Sequence, residues 1–267
     1  MSFAKWIGGA LGWSFGGPIG AIIGLAIGSM FDSGSKDNRR LIGEREDYKK
    51  RQRDIYSTRR PRQETRSTQQ QQSKTQSGDF EVSLLILASI VIKADGKQDQ
   101  RELDFVRDQF KSMYGAQRAN HAFKLFKNIS KQNISTRQVC MQIRQMMDHS
   151  SRLQLMHFLF GIAKADGLVT EDELNQIYTI AGYLNISSRD FESIKAMFYD
   201  SSENAYKILE IDKSVTDDEV KKAYRKMAKK YHPDKVRHLG EEHQENAEDM
   251  FRQVQKAYEH IQKERGF

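Results

Sequence analysis

The stretch Thr216–Lys235, TDDEVKKAYRKMAKKYHPDK, contains a helix together with its start and its stop. Thr216 and Glu219 stand in capping-box spacing, so a helix begins at Asp217. Val220, Tyr224, Met227, Ala228 and Tyr231 recur at helical intervals and define one apolar face. The remaining face carries Lys221, Lys222, Arg225, Lys226, Lys229 and Lys230. Pro233 ends the helix, because the residue before a proline is driven out of the helical region.

Outward from this helix, ENAYKILEI (203–211) adds Tyr206 and Leu209 to the same core. The closing segment has Phe251, Val254, Tyr258 and Ile261 at intervals of three, four and three. Two amphipathic helices joined by a loop make an antiparallel hairpin. Taken in order, these segments are similar to a J domain over about 60 residues, from Glu203 onward. That resemblance implies that His232, Pro233 and Asp234 form the loop tripeptide that triggers ATP hydrolysis in a DnaK-type chaperone. It also implies that the basic face of the preceding helix docks on an acidic surface of that partner. No nucleophile–base pair and no phosphate-binding glycine loop occurs, so the expectation is not an enzyme but a regulator of its partner's ATPase, with no cofactor. A zinc site from His232, His238 and His243 has no cysteine to support it.

Before the hairpin lies an internal repeat. KADGKQDQREL (Lys93–Leu103) and KADGLVTEDEL (Lys164–Leu174) share six of eleven residues at an offset of 71. Each copy follows an apolar helix and opens a second one, which predicts a pseudo-symmetric helical domain over 79–200. Asp95, Glu102, Asp166 and Glu173 invite a metal reading, since each glutamate lies six residues after a glycine, as in a calcium loop. Two earlier ligand positions are Val91 and Lys93 in one copy, Ile162 and Lys164 in the other, so neither copy is an EF-hand. Helix caps account for most of the pattern. Gly96 and Gly167 suit the left-handed residue after a helix, and Asp99-x-x-Glu102 and Thr170-x-x-Glu173 suit capping boxes. The repeated KADG…EL pattern resembles the TerB-like domain of tellurite-resistance proteins, a family in which acidic loop residues have been linked to metal.

The first third is of another character. Trp6–Phe31 is a run of 26 residues without a charge, long enough for a membrane-spanning helix. Glycines at 8, 12, 16, 20, 24 and 28 form a ladder at four-residue spacing. Gly8, Gly12, Gly16, Gly20, Gly24 and Gly28 would lie along one side of a helix and let a second copy approach closely, which predicts a homodimer through the membrane. A cleaved secretory signal does not fit the flanks, and so much glycine makes a poor helix in water. A re-entrant hairpin bent at Gly17–Pro18 is the alternative to a single span. Lysine and arginine gather on the C-terminal flank, placing the N-terminus outside and the bulk of the chain in the cytoplasm.

Of the net charge of +7, Lys36–Arg66 carries +6, from 12 Lys/Arg against 6 Asp/Glu. The excess thus belongs to a linker rather than to a folded nucleic-acid surface, and no specific nucleic acid is expected. RRPRQETRSTQQQQSKTQSG (59–78) has almost nothing to bury and reads as a spacer. The single cysteine, Cys140, lies among apolar neighbours and reads as a small buried hydrophobe.

The chain therefore divides into an anchor (1–33), a linker (34–78), a helical-repeat domain (79–200) and a J domain (201–267), all of it α-helical. In that order the parts look like the DjlA-type membrane co-chaperones of the cell inner membrane. The resemblance implies a membrane-localised recruiter of a DnaK-type chaperone, with an unknown client read by the middle domain. The rival expectation is a metal- or stress-responsive binding protein acting through the middle domain. Almost no linker separates the middle and C-terminal domains, which questions their independence.

Overall fold

A computed structural model describes residues 16–29, 77–94, 100–165, 167, 169–199, 202–240 and 243–267, and among them every regular element is helical. The elements are α1 (16–29), α2 (Ser77–Val91), α3 (Gln100–Ile129), α4 (Thr136–Met146), α5 (His149–Lys164), α6 (Glu171–Tyr183), α7 (Ser188–Ala196), α8 (Ser202–Ile208), α9 (Asp217–Lys230), a 3₁₀ helix (Pro233–Leu239) and α10 (Gln244–Arg265).

Helix α5 is the axle of the middle domain. Its sequence, HSSRLQLMHFLFGIAK, is apolar nearly all round, and it buries Leu153, Leu155, Met156, Leu159, Phe160 and Ile162. A helix apolar on every side must be surrounded. Accordingly α2, α3, α6 and α7 all pack on it. Each copy of the internal repeat lies between two helices, and α3 and α6 begin at Gln100 and Glu171, related by the same offset of 71. Thr170 and Glu173 form a reciprocal capping box at the start of α6. Gly167 has φ +92°. Asp95, Gly96, Asp99 and Asp166 lie outside the described residues. Helix α3 is broken at Gly115, whose φ of 76° belongs to the left-handed half of conformational space that L side chains resist. Cys140 is fully buried, and burial pushes its thiol up to about 12.

The N-terminal expectation is met only in part. Of the N-terminal run, 16–29 are described and helical, and Gly17, immediately before Pro18, has φ +61°, so the backbone turns there. Among the described residues no helix is long and apolar enough to cross a membrane. Gly16, Gly20, Gly24 and Gly28 fall in α1, whereas Gly8, Gly12 and the basic linker fall outside the described residues. The buried apolar positions of α1 are Ile19, Ile22 and Ala26. Gln142 of α4 accepts from the Ile19 amide at 2.8 Å and donates to the Gly16 carbonyl, while Gln132 donates to the Ile22 carbonyl at 3.0 Å.

Candidate partner-docking site

The loop His232–Pro233–Asp234 caps a helix built to carry it. Thr216 accepts from the Glu219 amide, and the Glu219 carboxylate accepts from the Thr216 amide at 2.8 Å. Asp217, Asp218 and Glu219 occupy the first turn of α9 and Lys229 and Lys230 the last, so fixed charge complements the helix dipole at both ends. Val220, Ala223 and Met227 face the core, and Tyr231 beyond the last turn is buried with them. Tyr224 is half-buried and stacks on Tyr258 of α10, ring centres 4.2 Å apart.

The partner helix differs from its expected face. α10 buries Ala247, Met250, Val254, Ala257 and Ile261, while Phe251 and Tyr258 lie half-buried at the edge. Ala247, Met250 and Ala257 join the expected Val254 and Ile261 in the seam, and the aromatic rings lie at its margin. Tyr206 and Leu209 are buried, as expected. Arg265, near the end of α10, holds the loop before α9. It donates to the carbonyls of Lys213 and Val215 at 2.6 Å each and to the Tyr206 hydroxyl at 3.1 Å.

At the loop itself, His232 has extended backbone, and its Nδ1 accepts from the Asp234 amide at 3.2 Å. Pro233 occupies the first position of the 3₁₀ helix, where its missing N–H costs nothing. The His232 and Phe251 rings meet at 75° to one another, centres 5.6 Å apart. The His232 and Asp234 side chains remain 49% and 68% exposed, so both polar groups face solvent from a rigid support. Lys221, Lys222, Arg225, Lys226 and Lys229 are exposed along α9, but Lys230 is not. Its ammonium donates to Asp190 of α7 and to Glu210. Burial opposes ionisation of Asp190, yet hydrogen bonds from Lys230 and Ser187 and the charges of Lys230 and His149 hold its carboxyl below the usual range.

Sequence reasoning brought together the tripeptide and the cationic helix. It missed Phe251 as the support of His232, Arg265 as a clamp, and Asp190 and Glu210 as partners of Lys230. Only the arginine of KERGF carries a local signal, a cation at a helix C-terminus; the others depend on distant pairings. Of the metal candidates, the Glu173 carboxylate is occupied by Thr170, accepting from its amide and hydroxyl at 2.8 Å each. Glu102 is buried at the start of α3. Among the described residues no group of three or more potential ligands could hold a metal.

Three family models match in series: the co-chaperone DjlA transmembrane domain over residues 1–39, the tellurite resistance protein TerB over 81–196, and the DnaJ domain over 204–265. The co-chaperone protein DjlA of Coxiella burnetii is 28% identical over 285 residues, spanning 98% of this chain and 97% of that one. Matches to chaperone proteins DnaJ are confined to the C-terminal domain. That of Lactococcus lactis subsp. cremoris is 52% identical over 59 residues, and that of Thermoplasma acidophilum 48% over 54, each match covering 14% of the DnaJ chain. No solved structure matches the chain. With a J domain closing a chain of this domain order, the protein resembles the membrane-anchored J-domain co-chaperones of the DjlA type over nearly its whole length.

Proposed function

We propose that the chain docks on a DnaK-type chaperone through α9 and the His232–Pro233–Asp234 loop, and drives ATP hydrolysis in that partner. The observation that carries this reading is the exposed, proline-fixed tripeptide at the end of a cationic helix, in a chain that matches the DnaJ domain. Lys221, Lys222, Arg225, Lys226 and Lys229 supply a field that steers an acidic surface and weakens with salt. His232 and Asp234 offer directional hydrogen bonds, and catalysis itself belongs to the partner.

In this reading residues 6–31 anchor the chain in the inner membrane as a single pass, N-terminus outside. The glycine ladder joins two copies, and the middle domain recruits a client. The match to the DjlA transmembrane domain supports the anchor. The test is steady-state ATP turnover by a DnaK-type chaperone with the full chain in detergent micelles or its His232→Gln variant. Stimulation by the first and none by the second supports the mechanism. Equal stimulation by both, or none by either, overturns it.

A further inference from the structure

The two domains are not beads on a string. Helix α7 ends at Ala196 and α8 begins at Ser202, and the elements on either side of that short connection pack together. Ser193 of α7 donates to the Ile208 carbonyl at 2.9 Å. On the flank before the tripeptide, Tyr231 is 2% exposed, and the Lys230 ammonium is shared between Asp190 and Glu210. On the flank after it, His238 Nε2 lies 3.5 Å from Asp148 and 3.2 Å from the Ser151 hydroxyl. Further along, Asn246 of α10 joins His157 and Gln154 of α5 at 2.8 Å each. The middle domain therefore grips the C-terminal domain on both sides of the loop while leaving the loop itself in solvent.

The cost falls on the docking strip. Lys226 keeps 65% of its side-chain surface although it pairs with Glu210, whereas Lys230 keeps 17%. Asp190 and Glu210, the acceptors that hold Lys230, are themselves only 8% and 5% exposed. An acidic partner surface that needs the whole strip must take Lys230 away from a buried carboxylate. Doing so leaves the buried Asp190 carboxylate with only the Ser187 cap and His149, 3.6 Å away, and removing one partner is the expensive way to break an ion pair. The middle domain thus offers the same chemistry as the partner and offers it first.

We propose that the contact of Asp190 with Lys230, seconded by that of Asp148 with His238, is an autoinhibitory latch through which the middle domain weakens docking of the J domain on its acidic partner. The inference rests on the partner-docking function proposed above. The latch sets the concentration at which the partner is engaged and leaves the tripeptide, and hence the maximal stimulation, unchanged. Any ligand that draws the middle domain off the C-terminal one would raise co-chaperone activity.

The test uses full-length protein in detergent micelles carrying Asp190→Asn or Asp148→Asn. Each carboxamide keeps an oxygen for its helix-cap hydrogen bond, from Ser187 or from the Ser151 amide, and replaces the other, charged oxygen by an amide nitrogen. Titrated against the partner's ATPase, Asp190→Asn should lower the half-maximal concentration about fivefold or more at constant maximum, with a smaller drop for Asp148→Asn. Labelling by an amine-reactive reagent reads the latch without the partner: Lys230 should react more slowly than Lys229 in the unaltered protein and faster in Asp190→Asn, still short of Lys229 because Glu210 continues to hold it. Equal reactivity of the two lysines at the outset, or folded variants with an unshifted titration, would overturn the latch while leaving the docking function in place. Protection of Lys230 with no stimulation by any form would instead overturn the docking function, and the inference with it.

Discussion

Gly161 lies on the side of α5 that faces α3, and a Cβ built there would come within 2.7 Å of the Phe105 ring. Gly182, in α6, has open space at the same position. The two glycines should respond oppositely to alanine. Gly161→Ala forces the ring aside and should cost roughly 1–3 kcal/mol, as overpacking does. The lower end applies, because Phe105 borders a cavity of about 340 Å³ into which it can move. Gly182→Ala removes backbone entropy from the unfolded chain and should add about 0.5–1 kcal/mol. Urea unfolding of the two variants separates them by sign. Neither difference is visible in the sequence, where both are glycines within helical runs.

At the scale of elements, reciprocal caps open α6, α7 and α9 at Thr170, Ser187 and Thr216. The pattern at α6 and α9 is legible in sequence because a cap involves residues only three apart. Thr216→Ala should cost about 1 kcal/mol by loss of the cap acceptor, read as a lower unfolding midpoint. It should weaken partner stimulation only where unfolding intrudes, since the cap lies at the far end of α9 from the tripeptide. For α1, the ladder predicts that replacing Gly16, Gly20 and Gly24 by leucine reduces self-association in membranes. A dimer signal unchanged in a membrane two-hybrid or cross-linking assay would remove the glycines from the interface.

The molecule as a whole is joined through its histidines. His157 of α5 meets Asn246 of α10 and the Phe198 ring, centres 4.7 Å apart, and the Asp249 charge favours its protonation. Burial dominates and lowers its pKa to about 4, from an ordinary value of 6.5. A base with a depressed pKa stays neutral in the fold and gains its proton on unfolding. The unfolded chain therefore binds more protons between pH 6.5 and 4, and stability falls as pH drops through that window. The loss should reach roughly 1–3 kcal/mol. His157→Gln, which keeps a polar group toward Asn246, should flatten the profile of unfolding free energy against pH. An unchanged slope would mean that other groups set it.

The sequence by itself determined the helical class, the repeat with its offset of 71, the cap at α6, the cationic face of α9 and the exposed tripeptide. All of these follow from periodicity and from contacts within a few residues along the chain. The tertiary structure alone decided that α10 buries Ala247, Met250 and Ala257 in place of Phe251 and Tyr258, that Phe251 supports His232, and that Asp190 takes Lys230 out of the docking strip. Asp190 and Lys230 are forty residues apart and each belongs to a helix that reads as complete without the other. Such a pairing depends on how two domains set their surfaces together, and local pattern carries no record of that geometry.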